Sequence, residues 1–299
     1  MWLFYALGAG LIFTVVSIVD RFTVSRKLKE PMVGLVTGGP VYAVCFAILS
    51  LVTHTPFASS ERLILLGIAL GFVSTASDFF YYNSLRRGEI SRVTPLFSTS
   101  GIFSILLGAF VLGEHFPLLA YVGIFLIILG AIVISYEYSR KKASVSSAFF
   151  ALGVGVAGAL LGLLIKFVTQ DGTSMLTVFP WMGMGQCLSS LMFALIFRRL
   201  ILKEHLHAKF IQAIHLIVFT DFLSFFGLLA IIASFASGPL TLTSAVLETR
   251  PLFIFLGALA LSALFPKFIH ETFTKPVLIQ KLVATIIIVV GCILIAVGT

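Results

Sequence analysis

The sequence is poor in charge. Only 11% of its 299 residues are Asp, Glu, Lys or Arg, where a soluble domain carries about a quarter. Apolar residues reach 59%, and mean hydropathy is +1.13. That balance excludes a soluble enzyme, a disordered regulator and a nucleic-acid-binding module. Cysteine is scarce as well. Cys45, Cys187 and Cys292 lie inside apolar stretches with no CxxC pair, so neither a disulfide framework nor a metal site is expected. No Walker A pattern is present, which excludes direct ATP drive within this chain. No basic n-region precedes the first apolar run, so a cleavable signal peptide is not expected. The alternation of apolar and polar positions that a membrane barrel strand needs is also missing.

Long apolar runs fill the chain instead. They fall at about 1–19, 33–53, 63–85, 93–113, 117–136, 148–168, 174–197, 209–236, 240–264 and 277–297. Each has the length that a helix needs to cross a bilayer, roughly 20 residues. The expected fold is therefore an all-α membrane protein with ten transmembrane helices and short loops. Residues 138–147, with Arg140, Lys141 and Lys142, then Ser144, Ser146 and Ser147, form the one plausible midpoint linker. It divides the chain into five-helix halves, 1–140 and 141–299.

The halves look related. FYALGAG at 4–10 matches FFALGVG at 149–155, and six of 19 positions are identical in that register. Gly88 and Gly238 each open a turn before a helix rich in small and hydroxylated residues, and Gly130 matches Gly291. A five-helix repeat must re-enter the membrane with the opposite orientation, which predicts inverted repeats.

The net charge of +8 could suggest a nucleic-acid surface, but its distribution says otherwise. Sixteen of the 20 Lys and Arg residues fall in the loops after runs 1, 3, 5, 7 and 9. The remaining loops and both termini hold only Arg62 and Lys166. By the positive-inside rule the basic loops face the cytoplasm and both termini face outward. Multi-pass insertion in the plasma (cell) membrane is the expected location.

On these features the chain resembles the drug/metabolite transporter superfamily, in its ten-helix EamA-like branch. The most specific stretch is FFYYNSLRRGEISRVTPLFSTSGIFSILLGAFVLGEHF at 79–116, which closes on Leu112, Gly113 and Glu114. Its counterpart at 235–264 keeps the small turn and Pro251 but lacks the closing Glu. The resemblance implies a central cavity lined by helices 1, 3, 4, 6, 8 and 9, and transport of amino acids, nucleosides, sugars, drugs or other metabolites. It would favour cytoplasmic termini, and there the charge distribution is followed instead.

A charge inside a span costs at least about 2.5–3.5 kcal/mol on insertion scales, so each one needs a reason. Asp78, Asp221, Glu248 and Arg250 are the candidates. Glu248 and Arg250 stand two apart, about 200° around a regular helix. Pro251 would break that regularity and free the Leu247 carbonyl, leaving a polar gap. Arg250 then suits a carboxylate and Glu248 an amine or a coupling proton. The alternative is a structural pair between Arg250 and either Glu248 or Asp221. Asp221, with Ser224 and Phe225 a turn on, could carry a proton or partner Arg250. Asp78 and Tyr82 share a face with Ser74, which suits a cationic ligand, or else Asp78 pairs with Arg86 or Arg92.

Other features read as structural. Arg92 is expected to snorkel. Tyr81, Tyr82, Tyr121 and Trp181 fit a cavity or the interfacial belt. GxxxG spacings at Gly34/Gly38, Gly67/Gly71 and Gly158/Gly162 suit close packing. His205 and His207 lack further ligands.

The sequence thus predicts a secondary transporter, exporter or exchanger, of small metabolites such as amino acids or related amphiphilic compounds. Alternating access is the expected mechanism, with proton coupling a further expectation. The alternative is an intramembrane enzyme acting on a lipid-linked substrate, although no Asp-rich motif appears and His215 has no nucleophile at helical spacing. No cofactor is expected. The partners are a small-molecule substrate and membrane lipids, with no nucleic acid, and one chain is enough to enclose a pathway.

Overall fold

The computed structural model describes residues 1–26, 33–87, 99–135, 145–205, 210–250, 252–254, 256–257 and 275–298. Among these there are helices and no strands. In chain order they are α1 (Trp2–Arg26), α2 (Val33–Thr53), α3 (Glu61–Arg87), α4 (Ser100–Val111), α5 (Leu118–Ser135), α6 (Val145–Thr169), α7 (Phe179–His205), α8 (Phe210–Ser237), α9 (Leu240–Leu247) and α10 (Lys275–Gly298). A 3-10 turn, Met175–Thr177, precedes α7. Six of the helices, α1, α2, α3, α6, α7 and α8, are long and apolar enough to cross a membrane. Three shorter apolar helices lie within α4, α5 and α10.

The outward faces carry large apolar side chains, among them Phe110 at 85% exposure and Leu118 at 79%. A protein surrounded by water does not keep so much apolar surface bare, whereas hydrocarbon solvates it. The same solvent explains the hydroxyl groups. Thr14, Ser17, Thr23 and Thr75 each donate to the carbonyl four residues back, at 2.7–3.1 Å. In a medium without water the helix itself is the nearest acceptor.

Helix pairing has an internal regularity. α5 packs on α10, α2 on α7 and α4 on α9, each a helix with the one five places on. The remaining large pairings come in exchanged couples: α1 with α8 and α6 with α3; α1 with α9 and α6 with α4; α2 with α8 and α7 with α3. Glycines at matched positions obey the same exchange. Gly10 of α1 faces Phe253, after α9, while Gly155 of α6 faces Thr99 and Ser100 at the start of α4. Gly130 lies against the Ala284 carbonyl and Ile288 nitrogen, and Gly291 against the Gly123 carbonyl and Ile127 nitrogen.

The ends of the bundle can be assigned from contacts. The Trp2 carbonyl accepts from Ser234 at the end of α8, and Gly238 packs on the Trp2 ring. Gly162, near the end of α6, packs on Leu240 and Phe235. Thus α1 starts at the end of the bundle where α6 finishes. Arg62 pairs with Asp171 at 2.9 Å at that end too. Both side chains are more than half exposed, so the pair contributes little.

The Gly67/Gly71 spacing acts as a close approach. A Cβ on Gly71 would collide with the backbone of Met182 and Gln186 in α7, whereas one on Gly8 would meet nothing within 4 Å. Gly71→Val is therefore expected to cost about 1–3 kcal/mol through overpacking, and Gly8→Val close to nothing. Melting of the two variants in detergent checks this, and equal shifts would refute the packing role of Gly71.

Candidate functional site

A few of the scarce charges converge inside the bundle: Asp20, Asp78, Asp221, Glu248 and Arg250. Asp221 on α8 is only 8% exposed, and its carboxylate accepts from Thr37 on α2 at 3.0 Å. Gly38, one residue on, borders the carboxylate: a Cβ there would lie at ordinary contact distance, 3.7 Å from Asp221 Oδ1. Gly34 makes room for the Tyr82 hydroxyl of α3, which a Cβ would collide with. The first GxxxG spacing is thus part of the site wall rather than simple helix packing. Tyr42 on α2 hydrogen-bonds Ser224 on α8, and its ring centroid lies 6.4 Å from that of Phe225.

Asp78 stands on α3 with Tyr81 and Tyr82, whose rings meet edge to face at 5.4 Å. Asp78 and Asp221 interact electrostatically with each other and with a third carboxylate, Asp20 of α1. Asp20 bonds Thr220 through its side chain and lies within range of the Arg250 charge. Three carboxylates from three helices therefore share one interior region, with one guanidinium at its border. Each is costly to bury unless solvated by partners of this kind.

Arg250 is the link to α1. Its Nη2 donates to Ser17 Oγ at 2.5 Å, and its Cζ lies 5.2 Å from the Phe13 ring centroid. Ser17 in turn donates to the Phe13 carbonyl at 2.7 Å, so its oxygen is held in place as an acceptor. The guanidinium goes to α1 and not to Glu248 or Asp221, the two structural partners considered for it. Among the described residues its Nε is buried without a hydrogen-bond partner.

Glu248 is 8% exposed and points elsewhere. It accepts a short hydrogen bond from Ser100 at the start of α4. Positions 248 and 250 thus serve different neighbours, Ser100 and Ser17. The backbone between them is irregular. α9 ends at Leu247, Glu248 is its C-cap, and the Thr249 and Leu252 amides bond three residues back at 3.0 and 2.9 Å. The break thus falls where the sequence placed it; Pro251, its assigned cause, lies outside the described residues, as do Arg92 and His207.

Asp20 and Thr37 were not among the predicted residues. The first apolar run was closed at residue 19, but α1 continues to Arg26, which keeps Asp20 inside a helix. A signal was present. Phe13, Ser17 and Asp20 follow i, i+4, i+7, one face of a helix, and that face meets Arg250. Thr37 and Ser100 carried no such signal. Of the aromatics, Trp181 donates its Nε1 to the Ala58 carbonyl at 3.0 Å, and Tyr121 packs on Phe116. Both stand at the loop end, away from the carboxylates. The side chain of Arg86, a possible partner of Asp78, lies outside the described residues. Among the described residues, no group of three His, Cys, Asp or Glu is placed to hold a metal ion.

Comparison with known proteins agrees with this architecture. One solved crystal structure superposes with a TM-score of 0.72 at 14% identity, covering 98% of this chain and 96% of its own. At that identity the likeness concerns the fold. No curated protein matches the sequence. Residues 1–136 match the model of the EamA-like transporter family. With its apolar helices, this makes the chain a multi-pass membrane protein that matches the EamA-like transporter family over residues 1–136, consistent with the drug/metabolite transporter superfamily.

Proposed function

We propose that the chain is a secondary transporter, an exporter or exchanger, of small zwitterionic metabolites such as amino acids or related amphiphilic compounds. It works in the plasma membrane by alternating access between two inverted five-helix repeats, 1–140 and 141–299. In this reading ten spans put both termini on one side of the membrane, and the Lys and Arg distribution favours the outside. The exchange of helix pairings between the halves and the shared end of α1 and α6 support this reading.

The observation that carries the proposal is the meeting of Asp20, Asp78 and Asp221 with Arg250 inside an otherwise apolar bundle. A guanidinium suits a substrate carboxylate, and carboxylates beside Tyr81 and Tyr82 suit an amine. An excess of acid over base also leaves a carboxylate available for a coupling proton, with Asp221 and Glu248 as its carriers. The enzyme alternative gains no support from the match to a transporter family.

The test is a ligand screen by melting in detergent. Amino acids at millimolar concentration are expected to raise the melting temperature, by about 2.7 kcal/mol of stabilisation at a hundred times Kd. Nucleotides and sugars are expected to leave it unchanged. A shift with sugars alone would sink the substrate assignment.

A further inference from the structure

Glu114 closes the LGE motif, and nothing in the site described above uses it. Its surroundings are specific. α4 ends at Val111, Gly113 adopts φ +65°, and the Glu114 amide bonds back to the Gly108 carbonyl at 2.9 Å. That turn needs the left-handed conformation glycine provides. It aims the Glu114 side chain across the bundle at the start of α9. There Oε1 accepts from the Leu240 amide at 2.7 Å, and Oε2 from the Thr241 amide at 3.0 Å. Both carboxylate oxygens from one half are thus spent on the first turn of a helix from the other half. Charge-assisted bonds to amides at a helix start are among the stronger protein hydrogen bonds.

The helix so held leads to Glu248 and Arg250. Below the clamp, α4 and α9 are in direct contact. A Cβ on Gly108 would collide with the Thr241 hydroxyl, and that hydroxyl donates to the Ser104 carbonyl at 3.5 Å. Ser104 itself is fully buried. Further along the same seam Ser100 bonds Glu248. Glu114 therefore holds the α4–α9 seam together at the end of the bundle, with Ser100 and Glu248 further along it. Lys166, at the end of α6, lies within range of the Glu114 charge. It offers the carboxylate a second partner once the amides are released.

We infer that Glu114 is a latch between the two halves: its carboxylate on the Leu240 and Thr241 amides keeps this end of the α4–α9 seam shut, and opening transfers it toward Lys166. The inference rests on the transport reading for its purpose but not for its geometry. The latch is one-sided, since the corresponding stretch of the second half lacks a closing Glu.

The test uses the full chain with Cys45, Cys187 and Cys292 replaced by Ala and Ser104→Cys as a reporter. Alkylation by a membrane-impermeant maleimide is timed in proteoliposomes. Glu114→Gln is expected to speed labelling at least tenfold, and Glu114→Asp, which keeps the charge on a shorter arm, to give an intermediate rate. If Glu114→Gln labels at the parent rate, the latch is overturned. A second pair, Glu114→Cys with Thr241→Cys, is bridged by a short reversible thiol cross-linker without the reporter. Bridging is expected to cut amino-acid flux at least tenfold, and reductant to restore it. Full flux in the bridged protein overturns the latch as well. Absence of amino-acid flux before bridging counts against the transport reading, while the labelling rates still decide the latch.

Discussion

Replacing Arg250 with methionine is expected to remove amino-acid transport almost entirely. Among the described residues the guanidinium is the cation placed against Asp20 and Ser17, and it also covers the Phe13 ring. Methionine fills similar volume but takes that positive charge away from Asp20, Asp78 and Asp221. Removing one partner from a buried charge pair costs about 3–5 kcal/mol. At 1.36 kcal/mol per decade, about 3 kcal/mol of lost substrate binding alone is about a hundredfold. Arg250→Lys is not a conservative rescue, because a point ammonium cannot reproduce the planar fork that reaches Ser17 while lying over a ring.

Two measurements separate binding from stability. Uptake in proteoliposomes reads function, and melting in detergent reads the fold. The double variant Asp20→Asn with Arg250→Met is expected to regain about 0.5–3 kcal/mol of stability relative to simple addition, as interacting neighbours do. Its transport is expected to stay lost, because the anion-binding group is still missing. Recovery of transport in the double variant would reduce Arg250 to a structural counter-ion and remove it from the substrate site.

The contrast between Asp20 and the other acids marks what the sequence could reveal. Asp78, Asp221, Glu248 and Arg250 stand out because each sits in mid-run, where a charge is expensive whatever the fold. Asp20 stood at the edge of a run beside Arg21, and an edge charge is ordinarily explained by the interface. Only the continuation of α1 to Arg26 moves it inside. The long apolar helices and the end of α9 at Leu247 were legible because they depend on local chemistry. Partners were not. Thr37 and Asp221 are 184 positions apart, and Ser100 and Glu248 are 148 apart. No spacing rule spans such distances. Glu114 shows the same limit: its motif was recognisable in sequence, but the amides it holds belong to the other half. The exchange of pairings between the halves is intermediate. The glycines at 10, 155, 130 and 291 were visible as matches, and their facing surfaces appear only once the helices are packed.

Glu248 offers the second large effect, and one that separates charge from shape. Glu248→Gln preserves size and leaves an oxygen to accept from Ser100, so the melting temperature is expected to stay close to that of the parent. Glu248→Ala instead leaves the Ser100 hydroxyl without its acceptor in a buried setting, at about 1–3 kcal/mol, and opens space at the end of α9. If Glu248 carries the coupling proton, the Gln variant loses uptake driven by a pH gradient at least tenfold. It still exchanges labelled for unlabelled substrate across the membrane, because exchange moves no net proton. The Ala variant loses both. Full gradient-driven uptake in the Gln variant excludes Glu248 as the proton carrier and leaves Asp221, whose carboxylate has its own donor in Thr37. Loss of exchange together with gradient-driven uptake in a normally folded Gln variant identifies the carboxylate as a substrate contact, because an amine held by charge needs that charge in every half of the cycle.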